Sequence, residues 1–554
     1  MRTTSLFFAA FLVASPSIAQ HAAPAAKAAA DSDPMLNAMK EELTREQQLL
    51  VLKDMQRPYF IQYRLEDVHT YEAIANYGAL TRENESHQRA VRVEIRIGDY
   101  TTDSSSARGD GVVELASTDN DPNALRFALW TATDEAYKNA LRSFASKLAA
   151  LKQYQTPPTA NDFSPAKPVT RIEPLVTLDL DRTEWKRRVV EASGLFVTDP
   201  AVKSFAADVQ VSNANISAIA VNRYLVNTDG TMLRHGYAGY QNMVSVGGQA
   251  PDGMQLGRDN GTMATTAAGL EGWPAMRQRV INNLLSYNEL RHAPVIDAED
   301  YHGPVLFSGD AAADVINRLV VPNIEADRPE MGTAARTQGA YQSSLHSPIL
   351  PNYISVVDDP TQRTFEGRSL LGAYSVDDEG VMAAPVTLVK AGDLINYDIG
   401  REPVKDLPES NGHGRAILAQ SAHSRAGVVI VKSTQNLTEE QMRAKLVALA
   451  KEKGKNVYEV ETLGGELMPR LLYRISPDGK RTLVRGAAFD DLDQRTLRAD
   501  IIAVGGKPWV AQAIAPIPQT TIVPSILFDD ITVKRANPEQ QKLPYYPPPA
   551  LAAN

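Results

Sequence analysis

Val221-Asn222-Arg223-Tyr224-Leu225-Val226-Asn227-Thr228-Asp229-Gly230 runs a β-branched and aromatic strand into an Asn-x-Asp-Gly turn. Met232-Leu233 resumes the strand pattern, so the segment reads as a hairpin, and Val209 to Val246 predicts consecutive strands. Upstream, Val91, Val93, Ile95 and Ile97 alternate with Arg92, Glu94 and Arg96, the pattern of a half-buried strand with one apolar and one charged face. Tyr59, Ile61, Tyr63 and Leu65 alternate with Phe60, Gln62 and Arg64 in the same way. Helical patterns flank these strands: Pro34 to about Leu52, Pro122 to about Lys152, Trp185 to Ala192 and Pro274 to Leu290. Asp33 is placed to cap the first, and Pro34 suits its first position, where no N–H is needed. The stretch 156–174 is proline-rich and reads as a connector.

Past Pro304 the pattern changes to short strands and glycine-bearing turns, marked at Asp378-Glu379-Gly380, Ala391-Gly392-Asp393 and Pro477-Asp478-Gly479. One helix is expected to interrupt them, from Thr438 to Lys451, opened by a Thr438/Gln441 capping box. The expected fold class is therefore α+β, an N-terminal α/β domain over 33–298 followed by a β-rich domain over 299–535 and a proline-rich tail over 536–554.

The 554 residues carry 57 Lys+Arg against 66 Asp+Glu, a net charge of −9, which disfavours nucleic acid as partner. No cysteine is present, so disulfides, thiolate metal sites and cysteine nucleophiles are excluded. At the N-terminus a basic start at Arg2 leads into an apolar run containing Leu6, Phe7, Phe8, Phe11, Leu12 and Val13, then Ser17-Ile18-Ala19. That is the layout of a secretory signal over 1–19, cut before Gln20, with an Ala-rich leader over 20–32. The expectation is export to the periplasm or beyond, with no membrane span after cleavage.

Nine histidines are scattered, and no pair sits at the three-to-five spacing of a helical zinc site. No Gly-x-Ser-x-Gly elbow or phosphate loop is present, and Ser164-Pro165-Ala166-Lys167 matches Ser-x-x-Lys only by spacing, inside the connector. Asp358-Asp359 and Asp377-Asp378-Glu379 precede turn formers and are expected to be solvated turn caps.

Several segments, in order, resemble the TldD/PmbA family, the metallopeptidase-like group once called modulators of DNA gyrase. They are Val221 to Gly230; Tyr301-His302-Gly303-Pro304-Val305-Leu306-Phe307 with the following Ala311-Ala312-Ala313 helix; Ser355 to Thr361; Tyr374 to Gly380 with Val386 to Gly392; Asn411-Gly412-His413-Gly414-Arg415; and Pro524 to Ile531. The stretch from Leu36 through Arg57-Pro58-Tyr59 to Gly98-Asp99-Tyr100 is similar to an exported branch of the family. The resemblance implies a two-domain protomer, a two-fold dimer and a cavity holding unfolded peptide. It also implies, in catalytic members, a His-Glu-x-x-x-His helix and a cysteine that bind zinc. Here the matching helix, Asp314 to Glu325, places Asn317, Arg318 and Pro322 at those positions and contains no histidine. Proline has no ligand atom, and arginine cannot serve as a base at neutral pH.

The expected function is an exported pseudo-peptidase that binds or presents unfolded peptide, as a homodimer or as a heterodimer with a catalytic relative. No catalytic or metal residues are assigned and no cofactor is expected; the purified chain should hold no stoichiometric zinc. Two alternatives stay open: a metallopeptidase with a non-standard site, whose ligands would be sought at His235, His292, His413 and His423, and a structural envelope protein.

Overall fold

A computed structural model of the chain describes residues 33–105, 111–154, 160–297, 301–328, 341, 343–536, 542–544 and 549. The signal and leader segments, residues 298–300 where the domain boundary was placed, part of the connector and most of the tail lie outside them.

Seven strands form the first sheet: β1 (Phe60–Asn76), β2 (Ala79–Arg96), β3 (Val112–Leu115), β4 (Thr170–Ile172), β5 (Val211–Asn227), β6 (Met232–Gln249) and β7 (Gln255–Ala264). Their order is β3-β2-β1-β5-β6, with β4 and β7 sharing the outer edge of β6. All pairs are antiparallel except β4 with β6. Period-2 alternation sends Ile61, Tyr63 and Leu65 to one face, where helices Pro34–Leu49 and Pro122–Tyr154 cover them. Further along the same face Tyr71, Ala73 and Ala75 meet helices Arg182–Thr198 and Trp273–His292. The first helix is capped as expected: the Asp33 carboxylate accepts from the N–H groups of Met35 and Leu36 at 2.9 and 3.1 Å.

The second sheet has eleven strands. Its path runs Asp393–Leu394, Val386–Lys390, Ile354–Asp358, Val428–Ser433, Gln519–Arg535, Tyr301–Phe307, Val457–Leu463, Pro469–Ile475, Arg481–Val484. Ala487–Phe489 and Ile501–Ala513 also pair with the long central strand Gln519–Arg535. Val305 and Phe307 face helix Asp310–Leu319, whereas Leu306 between them faces helix Glu439–Lys453, so both sides of the sheet are covered. The Thr438/Gln441 capping box is formed, and Gly454 closes that helix in the left-handed region at φ 60°. The architecture is α+β, as the pattern predicted. Among the described residues no helix is long and apolar enough to cross a membrane.

Three sequence expectations are corrected. The β-rich half holds more than one helix: Asp310–Leu319, Val321–Ile324 and Gln494–Ala499 join Glu439–Lys453. The first of these starts at Gly309 with no side-chain cap, so it lacked a start signal. Nor is Asp314 to Glu325 one continuous helix. It breaks at Val320 (φ −104°, ψ −56°), because Pro322 has no N–H to give and fits only the first turn of a new helix. Finally, the strand at 91–96 is not half-buried. Arg92 and Arg96 on its charged face are buried, as are Gln62, Arg64 and Glu66 of β1.

Candidate functional site

The face of the first sheet opposite its helices carries Phe60, Gln62, Arg64 and Glu66 of β1, Arg92 and Arg96 of β2, Arg223 of β5 and His235 of β6. Turns of the C-terminal half cover it. Arg64 donates to the Gln420 carbonyl, Glu66 accepts from Ala419 N–H, and Arg223 donates to the Ala416 carbonyl at 2.7 Å. Arg223 also pairs with Glu66 at 3.0 Å and with Asp378. Asp377, Asp378 and Glu379 are thus buried rather than solvated, as is Asp358. Turn capping survives in part, since Asp377 accepts from the N–H groups of Glu379, Val381 and Gly414.

Burial alone would raise the Asp378 carboxyl, but Arg223 and Arg415 hold it well below its ordinary value. Glu379 goes the other way, to about 8, because burial and the neighbouring Asp377 both oppose its charge. Gly400 and Gly414 press their backbones onto that carboxyl. A Cβ at Gly414 would stand 2.0 Å from Glu379 Oε2. Arg401 completes the seam. It is fully buried against the rings of Phe60 and Phe163, donates twice to the Ser164 carbonyl and pairs with Asp229 at 2.7 Å. Ser164 is thereby an interdomain anchor: its N–H and hydroxyl both donate to the Arg401 carbonyl. The turn residue Asp229, read from sequence as hairpin chemistry, is part of the same lock.

Helix Asp310–Leu319 borders a separate cleft of about 460 Å³, lined by Asp259, Asp314, Asn317, Arg318, Leu463, Gly464, Gly465, Leu467 and Arg470. Burial and Asp310 push the Asp314 carboxyl up to about 6. Asn317 accepts from the Thr521 hydroxyl, Arg318 is exposed, and Pro322 lies beyond the helix break. A zinc peptidase centre needs nitrogen or sulfur ligands around an open position. This helix offers carboxylates, an amide and a guanidinium, and does not fit it. Among the described residues, the trios of side chains close enough to share an ion are Asp67–His69–His87 and Asp358–Asp398–His413. Neither is on this helix.

The histidines singled out from sequence do not converge. His235 stands 3.7 Å from Asp378, His292 bonds the Asn288 carbonyl at the exposed end of helix Trp273–His292, and His423 lies 3.7 Å from Asp327. His413 meets Asp358 and Asp398. His69 and His87, eighteen residues apart in the chain, are directly opposed on β1 and β2, with ring centroids 3.8 Å apart. Sequence spacing missed both meetings; cross-strand register was the only signal for the second.

Residues 300–535 match the model of the PmbA/TldA metallopeptidase C-terminal domain. Solved structures share the fold over nearly the whole chain. One is a Thermotoga maritima protein described as a modulator of a DNA gyrase: TM-score 0.63, 14% identity, 90% of this chain and 99% of that one. Another is TldE from Thermococcus kodakarensis, with TM-score 0.59, 13% identity, and coverage of 90% and 99%. A Bacteroides thetaiotaomicron protein, also described as a modulator of DNA gyrase, has TM-score 0.59, 10% identity, and coverage of 91% and 98%. No curated protein matches by sequence. Residues 300–535 therefore belong to the PmbA/TldA metallopeptidase C-terminal domain family, and the chain shares the fold of these solved structures along its length.

Proposed function

We propose that this chain is an exported, non-proteolytic member of the family that binds or presents unfolded peptide, alone as a homodimer or beside a catalytic relative. The observation that carries the reading is the cleft face of helix Asp310–Leu319, which displays Asp314, Asn317 and Arg318. These groups, with the backbone at Gly464-Gly465, can hydrogen-bond a peptide's amides and charged side chains. They include no histidine and a single carboxylate, too few ligands to hold zinc and lower the pKa of its water, which hydrolysis of an unactivated amide requires.

The purified chain is expected to leave casein and unfolded peptides intact while binding them, read by gel and by fluorescence anisotropy. Chelator-sensitive cleavage by the pure chain would overturn the non-proteolytic reading; absence of binding, with or without a catalytic relative, would favour a structural envelope role instead.

Export rests on the signal layout that ends at Ala19. N-terminal sequencing of the native protein is expected to begin at or near Gln20, in the soluble envelope fraction; an intact Met1 end counts against export.

A further inference from the structure

Asp358 ends the strand Ile354–Asp358, Asp398 bridges to Glu325, and His413 lies in the segment 411–415. All three side chains have zero exposure. The imidazole is oriented from behind: Nδ1 lies 3.0 Å from Asn411 Oδ1, which also accepts from Ile399 N–H, and 3.3 Å from the Asn411 carbonyl. Both are acceptors, so Nδ1 carries the hydrogen and donates it. Nε2 is thereby the ring atom turned toward the two carboxylates, and a histidine that binds a metal through Nε2 is oriented from Nδ1 in this way.

Nε2 stands 3.4 Å from Asp398 Oδ1 and 3.7 Å from Asp358 Oδ2. These separations are long for hydrogen bonds, and Nε2 and both Asp398 oxygens are without a hydrogen-bond partner. Asp358 is itself held in place, its two oxygens accepting from Gly427 and Val428 N–H at 2.7 Å each. The three facing atoms lie within 4.8 Å of one another. Ligands about 2.0–2.2 Å from a shared ion are spaced by roughly these distances. Asp377 and Glu325 add negative field around the trio. The nearby guanidiniums are engaged elsewhere, Arg415 over the Tyr374 ring and toward Asp378, Arg425 with Asp327. Two buried carboxylates facing Nε2 need positive charge among them, which a proton on the imidazole or a bound cation supplies.

We propose that Asp358, Asp398 and His413 form a closed site for one divalent transition cation, zinc or manganese, that pins three segments of the C-terminal half together. One imidazole and two carboxylates suit these ions, and complete burial makes the site structural rather than catalytic. The site is separate from the cleft beside helix Asp310–Leu319, so it does not depend on the non-proteolytic reading. It replaces the expectation of a metal-free chain.

The test is elemental analysis of the full chain purified without added metal. About one equivalent of zinc or manganese per chain is expected. It should persist in the double variant His69→Gln/His87→Gln and fall about tenfold or more in Asp398→Asn. Should Asp398→Asn fail to fold, the wild-type chain decides: prolonged chelation is expected to lower its thermal midpoint, and zinc or manganese to restore it. A wild-type chain with below about a tenth of an equivalent, and a midpoint indifferent to chelator and to both ions, overturns the proposal. So does loss of metal in the His69/His87 variant with retention in Asp398→Asn.

Discussion

Arg401→Met is expected to destabilise the protein by about 3–5 kcal/mol, the range for removing one partner of a buried, hydrogen-bonded charge pair. Methionine keeps much of the side-chain length, so lost packing is the smaller part. What disappears is the pair of bonds to the Ser164 carbonyl, at 2.9 and 2.8 Å, and the charged partner of Asp229, which keeps only the Tyr100 hydroxyl at 3.0 Å. Phe163 also loses the guanidinium stacked 4.0 Å from its ring centroid. Lysine should rescue only weakly, since an ammonium cannot reproduce a planar fork packed against Phe60 and Phe163. Because the two sheets need not unfold together, the readout is the midpoint of the first unfolding transition together with limited proteolysis of 401–421. An unchanged midpoint and an unchanged cleavage rate would show that Arg401 does not lock the seam.

Arg223→Met should cost about as much, roughly 3–5 kcal/mol near neutral pH, because Glu66 and Asp378 are both almost fully buried. Arg64 near Glu66 and Arg415 near Asp378 offset part of this loss. The pH dependence identifies the cause. In the native protein Arg223 is the foremost group holding the Asp378 carboxyl low against its burial. A depressed carboxyl contributes stability that is fully present above its unfolded pKa, about 3.9, and is lost as pH falls through the lower folded value. Without Arg223 that carboxyl titrates higher, and protonation then relieves the stranded charge. The gap in stability between wild type and variant should therefore narrow as pH falls from 7 toward 4. A gap that stays constant over that range would assign the effect to packing instead.

Local structure was legible in the sequence wherever a side chain acts on its own backbone. Asp33 with Pro34, the Thr438/Gln441 box, the Asn227 to Gly230 turn and the alternation along β1 and β2 all took the form that their residue types dictate. Helix Asp310–Leu319 was placed only by family likeness, because it starts on Gly309 and carries no cap. The candidate sites were less legible. Asp377, Asp378 and Glu379 looked like a solvated turn, since a carboxylate before a glycine reads the same in water or in a core.

By itself, then, the sequence determined the α+β class, the caps and turns, and the absence of histidine and cysteine from the helix beside the cleft. Tertiary structure alone decided what covers each face. It set Arg64, Arg92 and Arg223 against turns of the other half of the chain, and His413 against Asp358 and Asp398. The physical reason is that periodicity reports which residues share a face, whereas the free energy of a charge on that face depends on counter-charges that arrive from distant chain.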